Sequence, residues 1–198
     1  MPREIDAKES ILIAASKLFQ QQGYHATGLN QIIKESGCPK GSLYYYFPNG
    51  KEQLAVEAIA RAKHQAVGEF KEYLAREEDA VKAIDIFLLE NSQFDINAEY
   101  DGIPLALIAL ETSLISEPLR LACSDAYGAV RQLLLQKFLK SGWPREMAEE
   151  VCSFIFSMVQ GSAVFAITEL SNEPLITAHK QVMEYVRMKE KEMKELER

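Results

Sequence analysis

Apolar residues recur at helical spacing along the chain, and glycine and proline mark the gaps between one stripe and the next. Asp6 through Gln22 reads as a helix with Ile11, Leu12, Ala15, Leu18 and Phe19 as its stripe. Asp6 followed by Glu9 is an N-terminal capping signature, and Gly23 ends the run. Two short helical patterns follow, broken at Glu35-Ser36-Gly37-Cys38. Ile32 and Ile33 give the first an apolar side; Leu43 and Phe47, four apart, do so for the second. After Pro48-Asn49-Gly50 a long helix is expected from Lys51 to about Arg76, with Leu54, Ala58, Ala62, Phe70 and Leu74 inward. It is the only continuous element expected between the first part of the chain and the rest, and reads equally as a coupling rod or a plain linker.

Further on, Asp79 to Phe94 predicts a helix with Ala83, Ile86, Phe87 and Leu89 on its apolar side. Asp95 to Pro104 is a turn-rich break containing Gly102. Leu105 to Ser116 is apolar nearly all round, which predicts a buried helix. Pro118 to Lys140 is amphipathic through Leu119, Tyr127, Val130, Leu134 and Phe138; Gly142 stops it and Pro144 opens the next helix, Arg145 to Leu170. Ser153, Ser157 and Gly161, four apart, put small side chains on one face of that helix, where another helix can approach. Glu173 to about Arg187 supplies a partner stripe, Leu175, His179, Val182 and Val186, ahead of a charge-alternating tail.

The second short helix is too short to persist alone in water and must be held by a scaffold. A short helix after a glycine-containing turn is the helix-turn-helix arrangement that reads DNA. Pro39 suits its first turn, and Lys40, Ser42, Tyr45 and Tyr46 fall away from the Leu43/Phe47 side. A cation and a hydroxyl suit phosphate oxygens; a phenol can bond phosphate or pack on a thymine methyl. Gly41 permits close backbone approach. The bland alternative is an amphipathic hairpin with a solvated face.

Gly23-Tyr24, Thr27, Ile32, Gly37 and the run K-G-S-L-Y-Y-Y-F at 40–47 resemble the DNA-binding domain of the TetR family of bacterial regulators. The F-P-N-G-K-E junction, D-G-I-P-L-A at 101–106 and S-E-P-L-R at 116–120 resemble its LmrA/YxaF-like subgroup. Gly28 and Asn30 stand where many relatives carry threonine and a charged residue, and Gly50 adds one residue to the usual junction. The resemblance implies an all-α chain: a three-helix helix-turn-helix domain at 1–50, and an effector-binding and dimerisation domain at 51–198. Its implied DNA-side residues are Thr27, Gly28, Asn30, Pro39, Lys40, Gly41, Ser42, Tyr44, Tyr45, Tyr46 and Lys51. Lys40 would touch phosphate or guanine, Ser42 and Tyr46 phosphate, Tyr45 a base edge or methyl. Lys51, at a helix start, would take a phosphate with help from the dipole.

The net charge of −7 speaks against nucleic acid until its distribution is considered. Residues 1–51 carry six cations and four anions, a net +2, so the remainder carries −9. An acidic body repels DNA and leaves the N-terminal face available. Three widely spaced cysteines, Cys38, Cys123 and Cys152, suggest neither disulfides nor zinc, but free thiols in the cytoplasm. Val151 to Thr168 carries no charge over eighteen residues, long enough for a membrane span. Ser153, Ser157, Gln160 and Thr168 interrupt it, Glu149 and Glu150 abut it, and no cationic cluster orients it, so a packed helix is expected and no membrane partner.

His25, His64 and His179 lie on separate segments without metal-ligand spacing, and nucleophile-elbow and phosphate-loop motifs are absent, so no catalysis, metal or cofactor is expected. Glu111 and Gln160 are isolated polar residues within apolar helices. Glu111 either pairs with an arginine such as Arg120 or Arg131, or anchors a ligand in a mostly apolar cavity with Gln160, lined by Phe87, Phe94, Phe154, Met158 and Phe165. The leading reading is a homodimeric repressor, paired through its last two long helices and bound to a palindromic double-stranded operator. A small apolar or aromatic effector, drug-like or flavonoid-like by the subgroup resemblance, would release it. The rival is a small-molecule-binding protein whose helix-turn-helix is a structural cap.

Overall fold

The computed structural model describes residues 6–93 and 105–196. Phe94 and the expected break at 95–104 lie outside them. All regular structure among the described residues is helical: α1 Ala7–Ala26, α2 Leu29–Ser36, α3 Lys40–Tyr46, α4 Gly50–Ala75, α5 Ala80–Ser92, α6 Leu105–Thr112, α7 Glu117–Lys140, α8 Arg145–Glu169 and α9 Glu173–Leu196. They fall into two compact units, Met1–Gln65 with Tyr100–Gly128, and Ala66–Glu99 with Ala129–Arg198. The expected functional division at residue 50 therefore falls inside the first unit. α7 as well as α4 contributes to both units, so α4 is not the only continuous connection.

In the first unit α1 is the brace. Ile11, Ala15 and Phe19 are fully buried with Ile32 of α2, Leu43 of α3, Phe47, and Leu54 and Ala58 of α4. Burying each large side chain contributes about 1.5–3 kcal/mol, which is how two helices of about two turns each persist. The expected Asp6/Glu9 capping pair does not form: Asp6 makes no side-chain cap bond. Glu9 instead accepts from Arg61 of α4 at 2.8 Å, and Lys8 pairs with Glu57 at 2.7 Å. Both pairs are half-buried at the surface, so they set register between α1 and α4 more than stability. Gly23 breaks the helical geometry of α1 with φ 80°, and Gly37 closes α2 in the left-handed region at φ 66°.

α6 departs from expectation. Ile108 and Thr112 are buried in this unit, but Leu110 is 80% exposed, and beyond the helix Leu114 is 96% exposed. Apolarity on every side marks what a helix can bury, while only one side has a partner within the unit.

In the second unit α5, α8 and α9 pack around Ile84, Leu88, Val151, Ile155, Val182 and Val186, with Phe138 of α7 stacked edge-on against Trp143 at 4.9 Å. Asp79 caps α5 by accepting from the Lys82 N–H at 2.8 Å. Asp85 of α5 meets His179 at 2.6 Å and Arg187 at 3.0 Å, both on α9. α8 is long and apolar enough to cross a membrane, and 28% of its apolar window is buried in the single chain.

Candidate nucleic-acid interface

α3 is anchored by one side and presents the other. Leu43 is fully buried, whereas Tyr45, two residues on, is 79% exposed and Tyr44 45%. Lys40 is exposed beside Tyr44, its ammonium 5.8 Å from the ring centre. Pro39 is the N-cap rather than a first-turn residue, and a Cβ at Gly41 would meet open space, so a ligand backbone could come close there. Ser42 is half-buried, its N–H bonded to the Pro39 carbonyl at 2.9 Å.

Three of the expected contacts turn inward. Thr27 is buried; its hydroxyl donates to the Gly23 carbonyl at 2.7 Å and accepts from Gln22 Nε2 at 3.2 Å. Tyr46 packs edge-on against Tyr45 at 5.0 Å and turns toward the start of α1, where the Asp6 carboxylate raises its pKa. Lys51 donates to the carbonyls of Tyr24 at 3.1 Å and Thr27 at 3.0 Å and lies 4.4 Å over the Tyr24 ring. Burial lowers its pKa, and the Glu111 charge partly opposes that shift. Its ammonium thus holds the end of α1, which makes Lys51 first a brace.

The start of α2 is fixed without a side chain at its N-cap. Gln31 Oε1 accepts from the Gly28 N–H at 2.7 Å and from Gln22 Nε2 at 3.1 Å. Thr27, Gly28, Leu29, Asn30, Gln31, Lys40, Tyr44 and Lys51 line one open hollow. It joins the N-terminus of α2 to two lysines, a setting that favours an anion such as a phosphate. Six of those eight residues are in the expected set. Leu29 and Gln31 are not, although Gln31 three residues after Gly28 is a capping-box spacing.

Residues 11–58 match the model of the TetR family of bacterial regulatory proteins, and residues 80–181 match the LmrA/YxaF-like C-terminal domain of transcriptional regulators. The chain is 43% identical to the regulator YxaF of Bacillus subtilis, over 93% of this chain and 97% of that one. It is 44% identical to the regulator LmrA of the same organism, over 86% and 92%. It is a TetR-family transcriptional regulator. The crystal structure of reduced Escherichia coli NemR superposes with a TM-score of 0.77 at 25% identity, covering 89% of this chain and 95% of that one. A Legionella pneumophila regulator reaches 0.79 at 19% identity, which speaks for the fold alone. DNA binding and the absence of an enzymatic role follow from the family.

Among the described residues, the expected effector residues of this TetR-family chain are spread over both units. Phe87 is half-buried on α5, against Phe70 at 4.9 Å and Tyr73 at 5.4 Å. Phe154 stacks on Tyr185 at 4.3 Å between α8 and α9. Met158 and Phe165 line an open groove on those two helices with Ser157, Gly161 and Thr177. Phe165 is 61% exposed and Gln160 is also exposed. Glu111 belongs to the other unit and pairs with neither expected arginine. Its carboxylate accepts from the Tyr24 N–H at 2.6 Å, while Arg120 pairs with Glu117.

Proposed function

We propose that this regulator is a repressor that occupies a palindromic operator as a homodimer and is released by a small apolar or aromatic effector. The observation that carries the DNA half is the outward face of α3: Lys40, Tyr44 and Tyr45 stand exposed on a helix held by Leu43. Lys40 and the amide end of α2 engage phosphates; Tyr45 reads a base edge or a thymine methyl. One such helix covers too little DNA to find a site in a genome, which argues for two per assembly.

The pairing surface in this reading is the outer side of α8 and α9. Val164, Phe165, Ile167 and Met188 are exposed on these two helices, and Phe165 shares a groove with the small residues Ser157 and Gly161. We therefore assign Met158, Gln160 and Phe165 to the contact between copies rather than to the effector site. A partner helix accounts for the apolar length of α8 without a membrane. The effector site falls to the second unit, with Phe87 and Phe154 as aromatic anchors, and a drug-like or flavonoid-like compound is the class to test. An effector releases DNA only if it binds the DNA-incompetent form more tightly.

The test is selection of bound duplexes from random DNA, followed by a gel shift on the recovered sequence and a compound screen. The expected result is a two-fold symmetric sequence, a salt-sensitive shift, and reversal by an aromatic compound. A shift insensitive to sequence would leave the helix-turn-helix as a structural cap, and a compound that strengthens the complex would make the protein effector-dependent rather than effector-released.

A further inference from the structure

Glu111 sits on a helix outside the helix-turn-helix, yet its side chain ends inside it. At the Gly23 kink the Tyr24 N–H donates to Glu111 Oε2 at 2.6 Å, and the carbonyl of the same residue accepts from Lys51 Nζ at 3.1 Å. His25 Nε2 lies 3.3 Å from the Glu111 carbonyl oxygen. One residue of α1 is thus clasped from both sides, by α6 through a carboxylate and by α4 through an ammonium. The next link is short: Lys51 also bonds the Thr27 carbonyl at 3.0 Å, and Thr27 leads directly into Gly28 and α2.

The fit is close. A Cβ added at Gly23 would lie 2.5 Å from Glu111 Oε1, in a backbone conformation (φ 80°) that side chains already resist. The carboxylate also offsets part of the cost of withdrawing the Lys51 charge from water.

We propose that Glu111 is a positioning residue for DNA recognition: from α6 it fixes the α1–α2 junction, and through it the placement of α2 and α3, without touching DNA. This rests on the reading that α2 and α3 engage the duplex, but it can fail separately. A shift of α6 by about one hydrogen-bond length would open the clasp.

The test uses the full chain as wild type, Glu111→Ala, Glu111→Gln, Gly23→Ala and the Gly23→Ala/Glu111→Ala double variant, with two readouts. Amide hydrogen exchange needs no operator. Glu111→Ala should speed exchange at Tyr24 and through residues 27–36 by roughly tenfold or more, leaving α8 and α9 unchanged, as expected for loss of one charge-assisted bond. Glu111→Gln, which keeps an acceptor oxygen, should retain most of the protection. Against the duplex selected by the wild type, Glu111→Ala should weaken binding by roughly tenfold, Glu111→Gln much less. Gly23→Ala should cost clearly less affinity in the Glu111→Ala background than in the wild type, because the clash is gone. Unchanged exchange at Tyr24, equal loss of protection across α8 and α9, or operator affinity within about twofold of wild type in Glu111→Ala would each overturn the proposal. Failure to recover any duplex would count against the operator reading, and the exchange data would still decide the role of Glu111.

Discussion

Tyr45 and Tyr46 are adjacent in sequence and differ in use. Tyr45 reaches solvent from α3, while Tyr46 packs against the base of the module with Asp6 beside its hydroxyl. Tyr45→Ala should weaken operator binding by about 1–3 kcal/mol and relax specificity at one position, with fold stability changed by less than about 0.5 kcal/mol. Competition binding with mutated operators checks it; an equal loss on operator and random duplex would mean that Tyr45 contacts only the DNA backbone. The buried cysteines make a pH prediction. Burial pushes the Cys152 thiol from 9.0 up to about 12 and Cys123 up to about 11. Folding keeps both protonated, so their contribution is intact below pH 9. It is lost as pH rises from 9 through the folded values, because the unfolded chain then binds fewer protons. Cys152→Ala should lower stability at pH 7, by cavity formation, and flatten the fall in denaturation midpoint above pH 9. An unchanged slope would contradict this assignment.

Element boundaries were legible in the sequence because the residues that set them act locally. Gly37 and Gly142 are helix breakers that need no distant partner, and both adopt positive φ; Gly23, expected to end α1, only kinks it, and the helix runs on to Ala26. At Gly37 a Cβ would meet nothing within 4 Å, so Gly37→Ala should cost about 1 kcal/mol through backbone conformation alone. A thermal or urea midpoint measures it; a far larger loss would point to a contact in the turn. What the sequence left illegible was decided at long range. The inward turn of Thr27 and Lys51 depends on how α1 and α4 meet. The partner of Glu111 lies 87 residues away on α1. The exposure of Leu110 depends on which side of α6 finds a neighbour, and composition carries no information on that. The outward side of α3 was readable, because Leu43 and Phe47 fix which side is in.

For the whole molecule the open question posed by a single chain is why α8 and α9 leave Val164, Phe165, Ile167 and Met188 in water. In the proposed reading a second copy covers that surface and supplies the second α3. Phe165→Glu should therefore shift the protein toward a single chain in sedimentation and weaken operator binding far more than random-duplex binding, with little loss of helix content. Retention of the assembled state would place the interface elsewhere. The sequence is least informative about an effector site, since a phenylalanine or methionine stripe looks the same whether it lines a cavity, a core or a contact between copies. The most direct check of the central claim is the mass of the complex with the selected duplex, by light scattering or sedimentation. The account predicts an even number of chains per palindromic duplex, two at minimum; a single chain bound to a full operator would contradict it.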